Sequence, residues 1–100
     1  MKRNYFYCLV LLLFNMTVVL AQEKTVSGTV TDDYGLPLPG ANVIIENTDT
    51  GTQSDFDGNY SISIETGKSL IFSYVGFETQ VVKVDESNVI NVLMKAGSLL

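Results

Sequence analysis

The sequence predicts an all-β protein: a seven-stranded antiparallel β-sandwich, of the Ig-like kind, after an N-terminal signal peptide. Three observations carry this. Short runs between Thr25 and Lys95 alternate apolar and polar residues with period two. Turn formers separate these runs about every 8–12 residues, the spacing of a two-sheet sandwich. No stretch of that region carries the 3.6-residue period of an amphipathic helix.

The N-terminus has its own pattern. Lys2 and Arg3 precede a run from Tyr5 to Leu20 that is apolar except for Asn15 and Thr17, and Val19-Leu20-Ala21 closes it with the small −3 and −1 residues, Val19 and Ala21, that a signal peptidase accepts. This order predicts a signal peptide over 1–21, cleaved between Ala21 and Gln22. Read instead as a membrane anchor, the run falls short of the roughly 20 apolar residues a spanning helix needs. Cys8 lies inside the apolar run and not at its end, which argues against a lipoprotein.

The first expected strand is Thr25–Thr31, with Val26, Gly28 and Val30 on one face and hydroxyl residues on the other. Asp32 to Gly35 makes a turn. Pro37 and Pro39 then hold an extended link, because proline fixes its own φ and restricts the residue before it. Ala41–Glu46 follows, with Ala41, Val43 and Ile45 facing the core. Thr52–Asp55 has no apolar face and is expected at a sheet edge. Asp55-Phe56-Asp57-Gly58-Asn59-Tyr60 then reads as a hairpin turn into Tyr60–Ile64, since glycine takes a positive φ freely and aspartate caps nearby N–H groups. Leu70–Tyr74 buries Leu70, Phe72 and Tyr74. Gly76 allows a bulge or tight bend. Thr79–Val84 and Val89–Lys95 complete the seven, burying Val82, Val84, Ile90, Val92 and Met94. Residues 96–100 read as an unstructured tail, leaving 22–95 as the folded domain.

Composition excludes several chemistries. The formal net charge is −5, and removal of Lys2 and Arg3 with the signal takes it to −7. Nucleic acid and anionic lipid are therefore poor partners. The chain has no His and one Cys, which falls in the signal. The processed chain thus has no disulfide, no imidazole base, no thiol nucleophile and no His/Cys zinc site. Asp55 and Asp57 form one candidate pair for calcium. An EF-hand loop places glycine at its sixth position and a bidentate glutamate at its twelfth, whereas here Gly58 is fourth and Thr66 twelfth. The structural reading gives Asp57 and Gly58 a turn role, under which Asp57→Ala lowers stability without changing binding. Tyr34 in its acidic turn is a candidate sugar-stacking residue, and Phe77 either an exposed anchor or a residue folded onto the core rim.

The segments Val26-Ser27-Gly28-Thr29-Val30-Thr31-Asp32, Gly35, Pro37-Leu38-Pro39-Gly40-Ala41-Asn42-Val43, Asp55 to Tyr60, Leu70 to Glu78 and Ile90-Asn91-Val92 together resemble the carboxypeptidase-regulatory-like domain. The variant is similar to the N-terminal extension of SusC-like TonB-dependent outer-membrane transporters of Gram-negative bacteria. The resemblance covers about Lys24 to Lys95. It implies a transthyretin-like (prealbumin-like) sandwich on the periplasmic face of the outer membrane, without cofactor or enzymatic activity, and with periplasmic or outer-membrane transporter components as partners. In that family a TonB box, a plug and a large barrel follow the domain. Even the smallest barrel needs eight strands of about ten residues, so transport is not expected in this chain, and the processed domain is not expected to insert into the membrane. A fragment of a transporter and a stand-alone periplasmic copy both fit, as does, alternatively, a stand-alone secreted binding module for glycan, calcium or a partner protein. The sequence does not define the oligomeric state.

Overall fold

The computed structural model describes residues 23–97. The signal peptide, its Ala21–Gln22 cleavage site and residues 98–100 of the expected tail lie outside the described residues. Those described form seven strands: β1 (Glu23–Thr31), β2 (Asn42–Ile45), β3 (Gly51–Gln53), β4 (Asn59–Glu65), β5 (Ser69–Ser73), β6 (Gln80–Lys83) and β7 (Val92–Leu93). They make two sheets, one of order β4-β1-β7 and the other β3-β2-β5-β6.

Period-two alternation dictates which face each strand buries. β4 runs strictly exposed–buried, with Tyr60, Ile62 and Ile64 inward. Val26 and Val30 of β1 join them, and Val43 and Ile45 of β2 with Leu70 and Phe72 of β5 face them from the other sheet. Tyr60 and Phe72 meet edge to face across the interior, 5.3 Å between ring centroids at 74°. This edge-to-face arrangement suits the opposite charges of ring edge and ring face. Val84, Val92 and Met94 complete the core, with Tyr74, Phe77, Val82 and Ile90 packed at its rim. Phe77 lies folded onto that rim, 5.7 Å from the Tyr74 ring.

Three features differ from the sequence reading. First, Asp55–Tyr60 is not a hairpin. β3 pairs with β2 and β4 with β1, so the turn carries the chain from one sheet to the other. Asp-Gly specifies the local backbone, but pairing partners are settled by which apolar faces meet. Second, β7 runs parallel to β1, Val30 opposite Val92 and Thr31 opposite Leu93, while the other pairings are antiparallel. β6 ends in one sheet and β7 lies in the other, so no tight hairpin fixes their relative direction. Third, the expected tail begins too early. Ala96 bridges Phe77, and the Gly97 N–H donates to the Gly76 carbonyl at 2.9 Å. The Gly76 turn offers backbone groups that these residues satisfy.

The last strand is also shorter than Val89–Lys95, for a reason centred on Gly28. A Cβ at Gly28 would lie 1.8 Å from the Ile90 carbonyl oxygen. Glycine therefore admits the Ile90 carbonyl into space a side chain would fill. There it accepts the Tyr60 hydroxyl at 2.6 Å. The Asn91 side chain substitutes for backbone, its Oδ1 accepting the Thr29 N–H at 3.0 Å. Burial raises the Tyr60 phenol pKa to about 12.

Candidate functional site

The loops with the most chemistry in them sit at one end of the sandwich, where β1 and β3 finish and β2 and β4 begin. Two are built alike. In the first, Asp32 Oδ1 accepts the N–H groups of Tyr34 and Leu36, each at 2.9 Å. Its carbonyl accepts Gly35 N–H at 3.1 Å, and its own N–H donates to Leu36 at 2.9 Å. In the second, Asp55 Oδ1 accepts Asp57 and Asn59 N–H groups at 2.9 Å. Its carbonyl accepts Gly58 N–H at 2.9 Å, and its N–H donates to Asn59 at 2.8 Å. Asp-x-x-Gly-x is thus used twice, with the aspartate replacing the partners an extended strand would have supplied.

The sequence predicts capping by the aspartates of this turn and singles out Asp57 with Gly58; in the structure Asp55 does the capping, while Asp57 contributes its N–H and its carboxylate is exposed. Gly58 has φ +78°, in the left-handed region that glycine occupies freely. It also packs closely, since a Cβ there would lie 2.6 Å from the Val30 carbonyl oxygen and 3.0 Å from Pro37. The second loop is thereby pressed against the proline link.

As calcium ligands, Asp55 and Asp57 have little to work with. One oxygen of Asp55 is already committed to two backbone donors. Among the described residues, no group of three or more His, Cys, Asp or Glu side chains is placed to hold a metal ion. Tyr34 and Phe56 are 87% and 92% exposed at the tips of the two loops. Phe56 borders an open depression of about 420 Å³ with Pro39, Gly40, Ser54 and Asp55. No base, nucleophile or ring of polar groups converges there among the described residues.

Ser54 is the residue that sequence reasoning missed. It lies in a polar run and looks like an exposed edge residue, yet it is 6% exposed. Its hydroxyl accepts Ala41 N–H at 2.9 Å and donates to the Leu38 carbonyl at 2.5 Å. Its backbone exchanges bonds with Gly40 and Ala41. Four contacts tie the proline link to the second loop and bury Leu38. The available signal was the link itself, whose two prolines leave carbonyls that need donors from elsewhere.

The chain is similar to known proteins across nearly this whole unit. It is 48% identical over 79 residues to TonB-dependent receptor P3 of Formosa agariphila, which covers 77% of this chain and 8% of that receptor. It is 38% identical over 100 residues to TonB-dependent receptor SusC of Bacteroides thetaiotaomicron, covering 95% of this chain and 10% of SusC. The chain therefore spans about a tenth or less of these relatives. In fold it is similar to a chain of a type II cohesin–X-dockerin complex from Acetivibrio cellulolyticus, with TM-score 0.62, 21% identity and coverage of 74% of this chain and 58% of that one. It is also similar to hydroxyquinol 1,2-dioxygenase from Pseudomonas putida, with TM-score 0.58, 15% identity and coverage of 82% and 59%. At such identities the likeness is one of fold alone. The family profile matches residues 26–99, so the chain belongs to the CarboxypepD_reg-like domain family, in a form similar to that in SusC-like TonB-dependent receptors.

Proposed function

We propose that the chain is a non-catalytic accessory domain of a SusC-like TonB-dependent nutrient transporter, exported by the signal peptide over 1–21 and held on the periplasmic side of the outer membrane. The observation that carries this reading is the 38–48% identity to TonB-dependent receptors over the β-sandwich itself. The geometry supports a presenting role. The loops at one end are braced, each internally by Asp32 or Asp55 and across to the proline link by Ser54, and a braced loop loses little conformational entropy when a partner engages it. Catalysis has no candidate pocket to work in among the described residues. The partners on this reading are transporter components, whether supplied by the same polypeptide or by a separate one.

Expression in a Gram-negative host with an affinity tag after Leu100, followed by membrane fractionation and N-terminal sequencing, tests the address. A periplasmic or outer-membrane-associated product beginning at Gln22 is expected. A product that stays in the cytoplasm with Met1 intact overturns the reading. Sequencing the coding region after Leu100 tests the assignment to a transporter. A frame encoding a plug and barrel supports a fragment, and unrelated sequence removes the assignment to a transporter on the same polypeptide.

A further inference from the structure

We propose that the free edge of β4 is a self-association site, at which a second copy of this chain adds its own β4 antiparallel about a two-fold axis through Ile62. The hydrogen-bond register of the sheet leads to this. Glu23 opposite Glu65 through Thr29 opposite Asn59 sets the pairing of β1 with β4. The Val30 N–H donates to the Gly58 carbonyl in that same register. Even-numbered residues of both strands therefore bond to each other, and odd-numbered residues point their backbone groups away. The neighbours agree. Ser27 and Thr31 of β1 bond instead toward the β7 side, and Asn59 and Glu65 of β4 bond to Asp55 and Lys68. Ser61 and Ser63 remain, with two N–H and two C=O groups directed at the outer edge of the sheet, beside the N–H of Glu65, whose carbonyl alone is taken by Lys68. Among the described residues β4 pairs with β1 alone.

Natural edges are usually guarded by lysine, proline, a bulge or brevity. β3 has three residues, β7 has two, and β6 ends on Lys83. β4 has seven, regular throughout, and its outward side chains are Asn59, Ser61, Ser63 and Glu65. Beside its last residues lies a cleft of about 260 Å³ lined by Ser63, Ile64 and Glu65 together with Thr48, Thr50 and Lys68, the last paired with Glu65 at 3.8 Å.

The strand is complementary to itself. A two-fold through Ile62 sets Ser61 opposite Ser63 of the second copy and Ser63 opposite its Ser61, satisfying all four groups on each strand. Asn59 then falls opposite Glu65, so no like charges meet across the pair. The contact is isologous and closes at two copies. It buries little apolar surface, so association is expected to be weak and concentration-dependent.

Sedimentation velocity and amide hydrogen exchange from micromolar to millimolar protein test the proposal. A dimer that grows with concentration, with the Ser61 and Ser63 amides slowing together, is expected. Ser63→Pro removes an outward N–H without touching the ladder to β1. It should lower the association constant at least about tenfold, since two intermolecular bonds disappear. The double variant Ser61→Lys/Ser63→Lys keeps the backbone and sets like charges across the axis. It should abolish the dimer while leaving the melting temperature of the monomer near wild type, so a misfolded Ser63→Pro protein does not decide the matter. A monomer at every concentration, slowed β4 amides in a monomer, or undiminished association in the lysine variant overturns the proposal.

Discussion

Gly28→Ala is the sharpest single test of how this sandwich is closed. Gly28 has no left-handed backbone to protect, so the cost of the substitution is steric. The added Cβ would sit 1.8 Å from the Ile90 oxygen, 2.6 Å from its carbonyl carbon and 3.1 Å from Tyr60 Cε1. The first two contacts involve backbone, which cannot rotate away as a side-chain end can. The Ile90 carbonyl must retreat by about 1.6 Å to reach ordinary contact distance, the kind of forced backbone shift that overpacking exacts at about 1–3 kcal/mol. That retreat breaks its 2.6 Å bond with the Tyr60 hydroxyl, leaving the hydroxyl of a residue only 4% exposed without its partner. An orphaned buried hydroxyl costs about 1–3 kcal/mol more. The sum is about 4 kcal/mol, large for a domain of this size.

Urea unfolding at neutral pH reads the effect directly. Thermal melting should fall by more than about 10 °C, given about 4–8 °C per kcal/mol for domains of this length. Gly35→Ala is the control. It has φ +81° and nothing near a would-be Cβ, so it should cost only about 1–2 kcal/mol of backbone strain. In a Tyr60→Phe background no hydroxyl remains to be orphaned, and Gly28→Ala should cost measurably less, a non-additivity of about 1 kcal/mol. A Gly28→Ala protein within about 0.5 kcal/mol of wild type, or strict additivity with Tyr60→Phe, would refute the reasoning.

Asp55→Ala should destabilise the domain by about 1–2 kcal/mol through two lost backbone caps, whereas Asp57→Ala should stay within about 0.5 kcal/mol, both measured by urea unfolding. Ser54→Ala should cost about 2–3 kcal/mol, because it strips a donor from the Leu38 carbonyl and an acceptor from the Ala41 N–H in one step; faster amide exchange at Ala41 checks it. Tyr60 adds a pH signature. Its folded pKa is raised from 10.0 to about 12, so its contribution is complete below about pH 10 and is lost as pH rises from 10 toward 12. Stability across that window should fall in the wild type and fall less steeply in Tyr60→Phe, as measured by unfolding at fixed temperature.

What the sequence made legible, and what it did not, divides along one physical line. Local alternation was enough to identify Val26, Val30, Val43, Ile45, Tyr60, Ile62, Ile64, Leu70, Phe72, Val84, Val92 and Met94 as core, because period two is a property of the strand itself. The edge position of β3 was legible for the same reason, from its lack of an apolar face. The connection made by Asp55–Asn59, the parallel run of β7 and the burial of Ser54 were not. Each depends on a partner more than ten residues away, and a turn motif such as Asp-x-x-Gly encodes only its own dihedral angles. The candidate site shows the same division. Both aspartates of the turn are expected to cap backbone, yet a carboxylate caps N–H groups that follow it by two and four residues, so the first aspartate of the motif is the one in reach. The recurrence of that geometry at Asp32 argues that it is built for bracing. The braced loops and the proline link tie the connections between the two sheets together, and the Tyr60–Ile90 bond spans β1 within the β4-β1-β7 sheet, each at a point where ladder hydrogen bonds cannot reach. The edge of β4 is the one long row of ladder groups that none of these devices reaches among the described residues, which is why self-association is expected there.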